Sequence, residues 1–172
     1  MEQPDNQSRL RAAHADMTAG RYGEARAAFE QLESEGEQQA LLYLGWMHEQ
    51  GLGGPVDAAQ ALACYRTLCG TGDSVACYHA ASLEFRHGNS AQALDLFLRA
   101  ADAGHPSAAY WAAALYGGEG GHARDPERET HYLHQAARTQ GLVGPLKQRI
   151  ERQEHTDAKP DRRLRLYRTT AA

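Results

Sequence analysis

Three cysteines, Cys64, Cys69 and Cys77, followed closely by His79, are the residues of this chain best suited to bind a metal. Zinc would need all four on one side of the backbone. Positions 64 and 69 on a helix point about 140° apart, so they do not face one ion. His131 and His134 are three positions apart, about 60° on one helical face, which suits two ligands but leaves no third; they read as solvated helix residues. The stretches GLGGP from Gly51 and GGEGG from Gly117 look like phosphate cradles. Both lack the lysine and hydroxyl that a nucleotide loop places at the following helix. No serine or cysteine nucleophile has a recognisable base partner. No metal, cofactor or catalytic residue is assigned.

The elements that would carry these residues announce themselves by repetition. Ala25, Ala61, Ala93 and Glu129 follow one another at steps of 36, 32 and 36 residues. Four positions after each stands a large apolar side chain: Phe29, Tyr65, Phe97 and Leu133. A period in the thirties marks a helical solenoid, in which one helix pair buries its apolar face only when a neighbour stacks on it. Such a scaffold offers surface rather than a closed chamber, which favours binding over catalysis.

Composition agrees. Hydrophobic residues make up 42% and aromatic residues only 8%, so alanine and leucine must fill the core. Alanine loses no side-chain entropy in a helix, and the scarcity of valine and isoleucine argues against sheets. No apolar run approaches the roughly 20 residues that span a bilayer. The opening MEQPDNQSRLRAAH has no basic segment leading into an apolar one, so the expectation is a cytoplasmic protein. From residue 145 onward there are eight Lys/Arg against four Asp/Glu, and ten against eighteen before it. An acidic body with a basic tail does not suit nucleic acid over the main surface.

The first unit, with Gly20, Tyr22, Ala25 and Phe29, resembles a tetratricopeptide repeat. Gly20 is placed to stop its first helix, since glycine takes the left-handed backbone without steric cost. The second unit is similar to the Sel-one-like repeat, a tetratricopeptide relative with a longer glycine-rich loop. Ala40, Leu44, Gly45, Gly51, Gly53, Val56, Asp57, Ala61, Tyr65, Gly72 and Ala76 fall on its pattern, with His48 in place of a tyrosine. The fourth unit repeats it with Ala112, Ala113, Tyr116, Gly120, Asp125, Ala136 and Ala137. The third is shorter, with Gly88 and Asn89 where the loop would be.

The resemblance implies an all-α, right-handed α/α superhelix of about four helix pairs over residues 8–144, used for protein–protein interaction. Residues 1–7 read as a tail, 145–156 as a capping helix with Leu146 and Ile150 on one face, and 157–172 as a basic flexible tail. Asp57, Asp125 and Ser90 are placed to cap second helices, with Pro126 at a first helical position. Small residues at Gly45, Ala81 and Ala113 let helices approach closely.

In such pairs the first helices line a concave face. That implies a partner-binding set of Leu42, Trp46, Glu49, Tyr78, Phe85, Arg86 and Tyr110, with Glu84 as a second rim charge. Trp, Tyr and Arg dominate interface hot spots. The spacing of Cys69 and Cys77 is similar to the cysteine-rich secreted branch of these repeats, where such pairs are bridged. With one pair and no export signal, the expectation here is reduced, buried thiols.

The expected function is a non-catalytic adaptor that holds a peptide or helix, with an exposed end able to dimerise and a basic ligand favoured by the acidic body. Two alternatives stand beside it: a component of bacterial envelope or secretion assembly, and a β-lactamase-like enzyme as in the cysteine-rich relatives.

Overall fold

The computed structural model describes residues 5–140. The expected capping helix 145–156 and basic tail 157–172 lie outside these residues. Eight α-helices are described: α1 (Asn6–Thr18), α2 (Tyr22–Ser34), α3 (Ala40–Gln50), α4 (Ala58–Gly70), α5 (Ser74–Arg86), α6 (Ser90–Asp102), α7 (Ala108–Tyr116) and α8 (Pro126–Gln140). No strand occurs among the described residues. Each helix packs chiefly on its neighbours in the chain, giving four consecutive pairs in an all-helical solenoid. The first helix begins at Asn6, inside the stretch read as a tail, because Asp5 accepts a hydrogen bond from the Ser8 amide at 2.7 Å.

The periodic residues form the core. Ala25, Ala61 and Ala93 are fully buried, and so are Phe29, Tyr65, Phe97 and Leu133. Glu129, at the alanine place of the fourth unit, is also buried and pairs with Arg124. Gly45, Ala81 and Ala113 are all buried. A Cβ on Gly45 would come within 2.5 Å of Tyr65 Cε1, so the ring of α4 rests on the bare backbone of α3.

Aspartates start four of the helices, Asp5 among them. Asp57 accepts from the Gln60 amide at 3.0 Å and Asp125 from Arg128 at 3.1 Å, with Pro126 opening α8. Asp73 does the same for α5 through Ala76 at 2.8 Å. Ser90 is not a cap. It is the first residue inside α6, and the preceding Asn89 turns its amide to Glu84 at 2.6 Å.

The two glycine-rich loops lap backward onto the preceding unit. Gly53, at φ +71°, passes so close to the start of α2 that a Cβ would stand 2.6 Å from the Tyr22 carbonyl oxygen. Gly120, at φ +64°, lies over Ser90 at the start of α6 and over the ring of Phe85. Tyr22 and Ser90 open the second helices of units one and three. The short Gly88–Asn89 turn of unit three makes no such overlap with unit two.

Candidate functional site

Leu42, Trp46 and Glu49 stand on α3, Tyr78, Phe85 and Arg86 on α5, and Tyr110 on α7. All seven therefore lie on the first helices of units two to four, and two contacts link these helices. Arg86 pairs with Glu49 across α3 and α5, while the Phe85 ring meets Trp111 of α7 with centroids 5.6 Å apart.

Burial grades the set. Trp46 keeps 39% of its surface exposed. Leu42, Tyr78, Phe85 and Tyr110 are half-buried and pack against the main core. Tyr78 lies flat on His105 at 4.2 Å and leans on Phe97 at 5.8 Å. Tyr110 meets Trp111 edge-on at 6.2 Å. These half-buried rings each spend one side on intramolecular packing, leaving Trp46 the most open ring of the set.

The charges are matched. Glu49 accepts from Arg86 and, at 2.9 Å, from the phenol of Tyr65. Burial raises the Tyr65 pKa well above the ordinary tyrosine value, and the Glu49 carboxylate raises it further. The Tyr65 ring stacks on His79 at 5.1 Å. Burial lowers the pKa values of both His79 and His105. Arg86 adds to the effect at His79, and His79 at His105.

Glu84 is not a rim charge. Its side chain is 3% exposed and is held by Arg66 and Asn89. It continues the stripe Cys77, Ala80, Ala81, whose spacing of three and four residues is the buried face of α5.

Cys69 and Cys77 are joined in a disulfide, with Cα atoms 4.7 Å apart, so the expectation of reduced thiols is corrected. The Gly70–Asp73 turn brings the end of α4 against the first turn of α5, and both sulfurs lie in the core. Cys64 remains a free, half-buried thiol whose pKa burial raises. Among the described residues, no group of three or more His, Cys, Asp or Glu is gathered closely enough to hold a metal. No helix among them is long and apolar enough to cross a membrane.

Trp111 and His105, which the sequence does not single out, belong to this neighbourhood, as does His79, considered above only as a metal ligand. Trp111, stacked on Phe97 at 5.8 Å, adjoins Tyr110 in sequence, and this pair of rings was the available signal. His105 lies in the α6–α7 connection, where no periodicity points to it.

No protein-family model and no curated protein sequence matches the chain. Solved structures do. One is c5321, a protective antigen present in uropathogenic Escherichia coli strains and displaying an SLR fold. It aligns at TM-score 0.69 and 19% identity over 80% of this chain and 32% of its own. The chain has the Sel1-like repeat (SLR) fold. A Sel1 repeat protein from Oxalobacter formigenes also aligns at TM-score 0.69 and 19% identity, over 79% of this chain and 59% of its own. The chain thus spans about a third of the first and three-fifths of the second. The SLR fold accounts for the glycine-rich loops as connections within helix pairs.

Proposed function

We propose that this chain is a non-catalytic interaction scaffold that captures a peptide or helix of another protein along the row Leu42, Trp46, Glu49, Tyr78, Phe85, Arg86 and Tyr110. The observation that carries the reading is the exposed indole of Trp46, one helical turn from the Glu49–Arg86 pair. An aromatic anchor beside a fixed polar pair is the composition of an interface hot spot. Both carboxylates expected to attract a basic ligand are engaged by arginines, so a basic partner is favoured by the acidic body rather than by the row.

The test replaces Trp46 and Tyr78 with alanine and compares what co-purifies with each form from the native cell. Loss of the parent's bound protein, with helical content preserved, supports the row; unchanged capture rejects it. Turnover of a chromogenic β-lactam by the pure protein would overturn the non-catalytic reading.

The Cys69–Cys77 bridge favours a second reading of place, since disulfides persist in oxidising compartments. A scaffold of the envelope or of secretion assembly fits that bridge better than a cytoplasmic one. Cell fractionation decides between them.

A further inference from the structure

The two overlapping loops rest on different chemistry. Between α3 and α4, the loop crosses the guanidinium of Arg26 so closely that a Cβ on Gly54 would collide with Nη1. Arg26 is held from two sides. Its Nε donates to Glu30 at 3.0 Å, and its Nη2 lies 3.3 Å from Nδ1 and 3.4 Å from Nε2 of His48. His48 also fixes the end of the loop, because its carbonyl accepts from the Asp57 amide at 2.9 Å.

Between α7 and α8 the backbone link recurs without these charges. Tyr116 stands as far after Ala108 as His48 does after Ala40, and its carbonyl accepts from the Asp125 amide at 2.8 Å. Arg26 follows Ala25, and its counterpart Leu94 follows Ala93. Leu94 packs on the apolar core, and Gly120 of the loop rests on Ser90 and Phe85. One loop is braced by an arginine–histidine contact, the other by groups without charge.

A neutral imidazole has one ring nitrogen free to accept from Arg26, whereas an imidazolium has two N–H donors and no acceptor. Protonating His48 therefore removes that bond and sets two cations 3.3 Å apart in a half-buried place. The groups facing the imidazole are Arg26 and Glu30 from α2 and Asp57 from the loop. Burial and then Arg26 lower its pKa, outweighing Asp57 and Glu30. Glu30 is bonded to Arg26, and Asp57 caps α4 through the Gln60 amide. Cys64 of α4, which feels Arg26 and Glu33, stays a neutral thiol because burial raises its pKa. The core shared by α1, α2 and α3 and the Phe29–Tyr43 stack do not involve His48, so units one and two stay joined when the loop lifts.

We propose that His48 makes the α3–α4 loop an acid-released strap over α2: protonation drives Arg26 from beneath Gly54 and frees the loop, while the α7–α8 loop stays closed. Closure is strongest above about pH 6.5, the ordinary histidine value that the lifted loop restores, and weakens as pH falls toward the lower value of the closed state.

The test is NMR hydrogen exchange on the full chain at about pH 7.5 and 5.5, with each amide expressed as a protection factor to remove the intrinsic effect of pH. The Asp57 amide should lose protection about three- to tenfold at the lower pH, while the Asp125 amide keeps its own. His48→Gln keeps an acceptor for Arg26 but cannot titrate, and His48→Tyr installs the residue of the other loop. Both should abolish the response of Asp57. The proposal is overturned if Asp57 keeps its protection, if Asp125 loses protection equally, or if the response persists in a folded variant. Should neither variant fold, the comparison of Asp57 with Asp125 in the parent still decides.

Discussion

Tyr65 donates its phenolic proton to Glu49 across the α3–α4 pair, which ties a core ring to the polar end of the proposed row. Burial, and then the carboxylate, keep this phenol neutral far into alkali. The contribution to stability is present below about pH 10 and is lost as pH rises toward the folded-state value. In a spectrophotometric titration, at least one of the eight tyrosines should ionise only as the chain unfolds. Tyr65→Phe should remove that late step. If every tyrosine titrates in the folded protein, the buried bond to Glu49 is not made.

Gly45 admits no side chain without moving Tyr65. The ring is fully buried and its hydroxyl is fixed, so a Cβ at 2.5 Å has little room to be accommodated. Gly45→Ala should lower unfolding free energy by about 1–3 kcal/mol, despite alanine's better helix propensity. Urea denaturation measures it, and a variant as stable as the parent would contradict the packing described.

Acid should weaken the stack that includes His79 and His105. Burial lowers the pKa values of His48, His79 and His105, so the unfolded chain takes up protons more readily. Asp73 and Glu49 work against that shift at His79, while Arg86 reinforces it, as Arg26 does at His48. Stability is therefore present above about pH 6.5 and declines as pH falls toward the folded-state values. Denaturation midpoints at about pH 7.5 and 5.5 should differ less in His79→Gln than in the parent.

Thiol counting tests the bridge. Without reductant, the unfolded chain should react with one equivalent of thiol reagent, at Cys64, and after reduction with three. Three equivalents without reductant would restore the free-thiol expectation.

Gly120 combines a left-handed backbone with tight surroundings, its added Cβ standing 2.7 Å from Ser90 Oγ and 3.1 Å from Phe85 Cε2. Gly120→Ala should cost about 1–3 kcal/mol of stability, measured by thermal or urea unfolding. Gly23, inside α2 with nothing near its missing Cβ, is the control, and Gly23→Ala should be neutral or stabilising.

The architecture was legible because burial imposes periodicity. Ala25, Ala61, Ala93 and their large partners four residues on reveal the second helices before any coordinates. Glu49 and Arg86 were both assigned to the proposed row, but their pairing was not foreseen, since residues 37 apart carry no local signal of contact. Glu84 was misjudged by residue type alone, although its spacing from Cys77, Ala80 and Ala81 already placed it on the buried stripe. Ser90 failed as a cap because Asn89 takes the preceding place and Glu84 occupies its amide. The bridge was set aside on an argument about cell compartment, which spacing alone does not supply.

The overlapping loops secure units one to two and three to four, while the joint between units two and three lacks a flap and carries the covalent bond instead. The Arg86–Glu49 and Arg66–Glu84 pairs and a core shared by α4, α5 and α6 cross the same joint, so the covalent bond is one of several ties there.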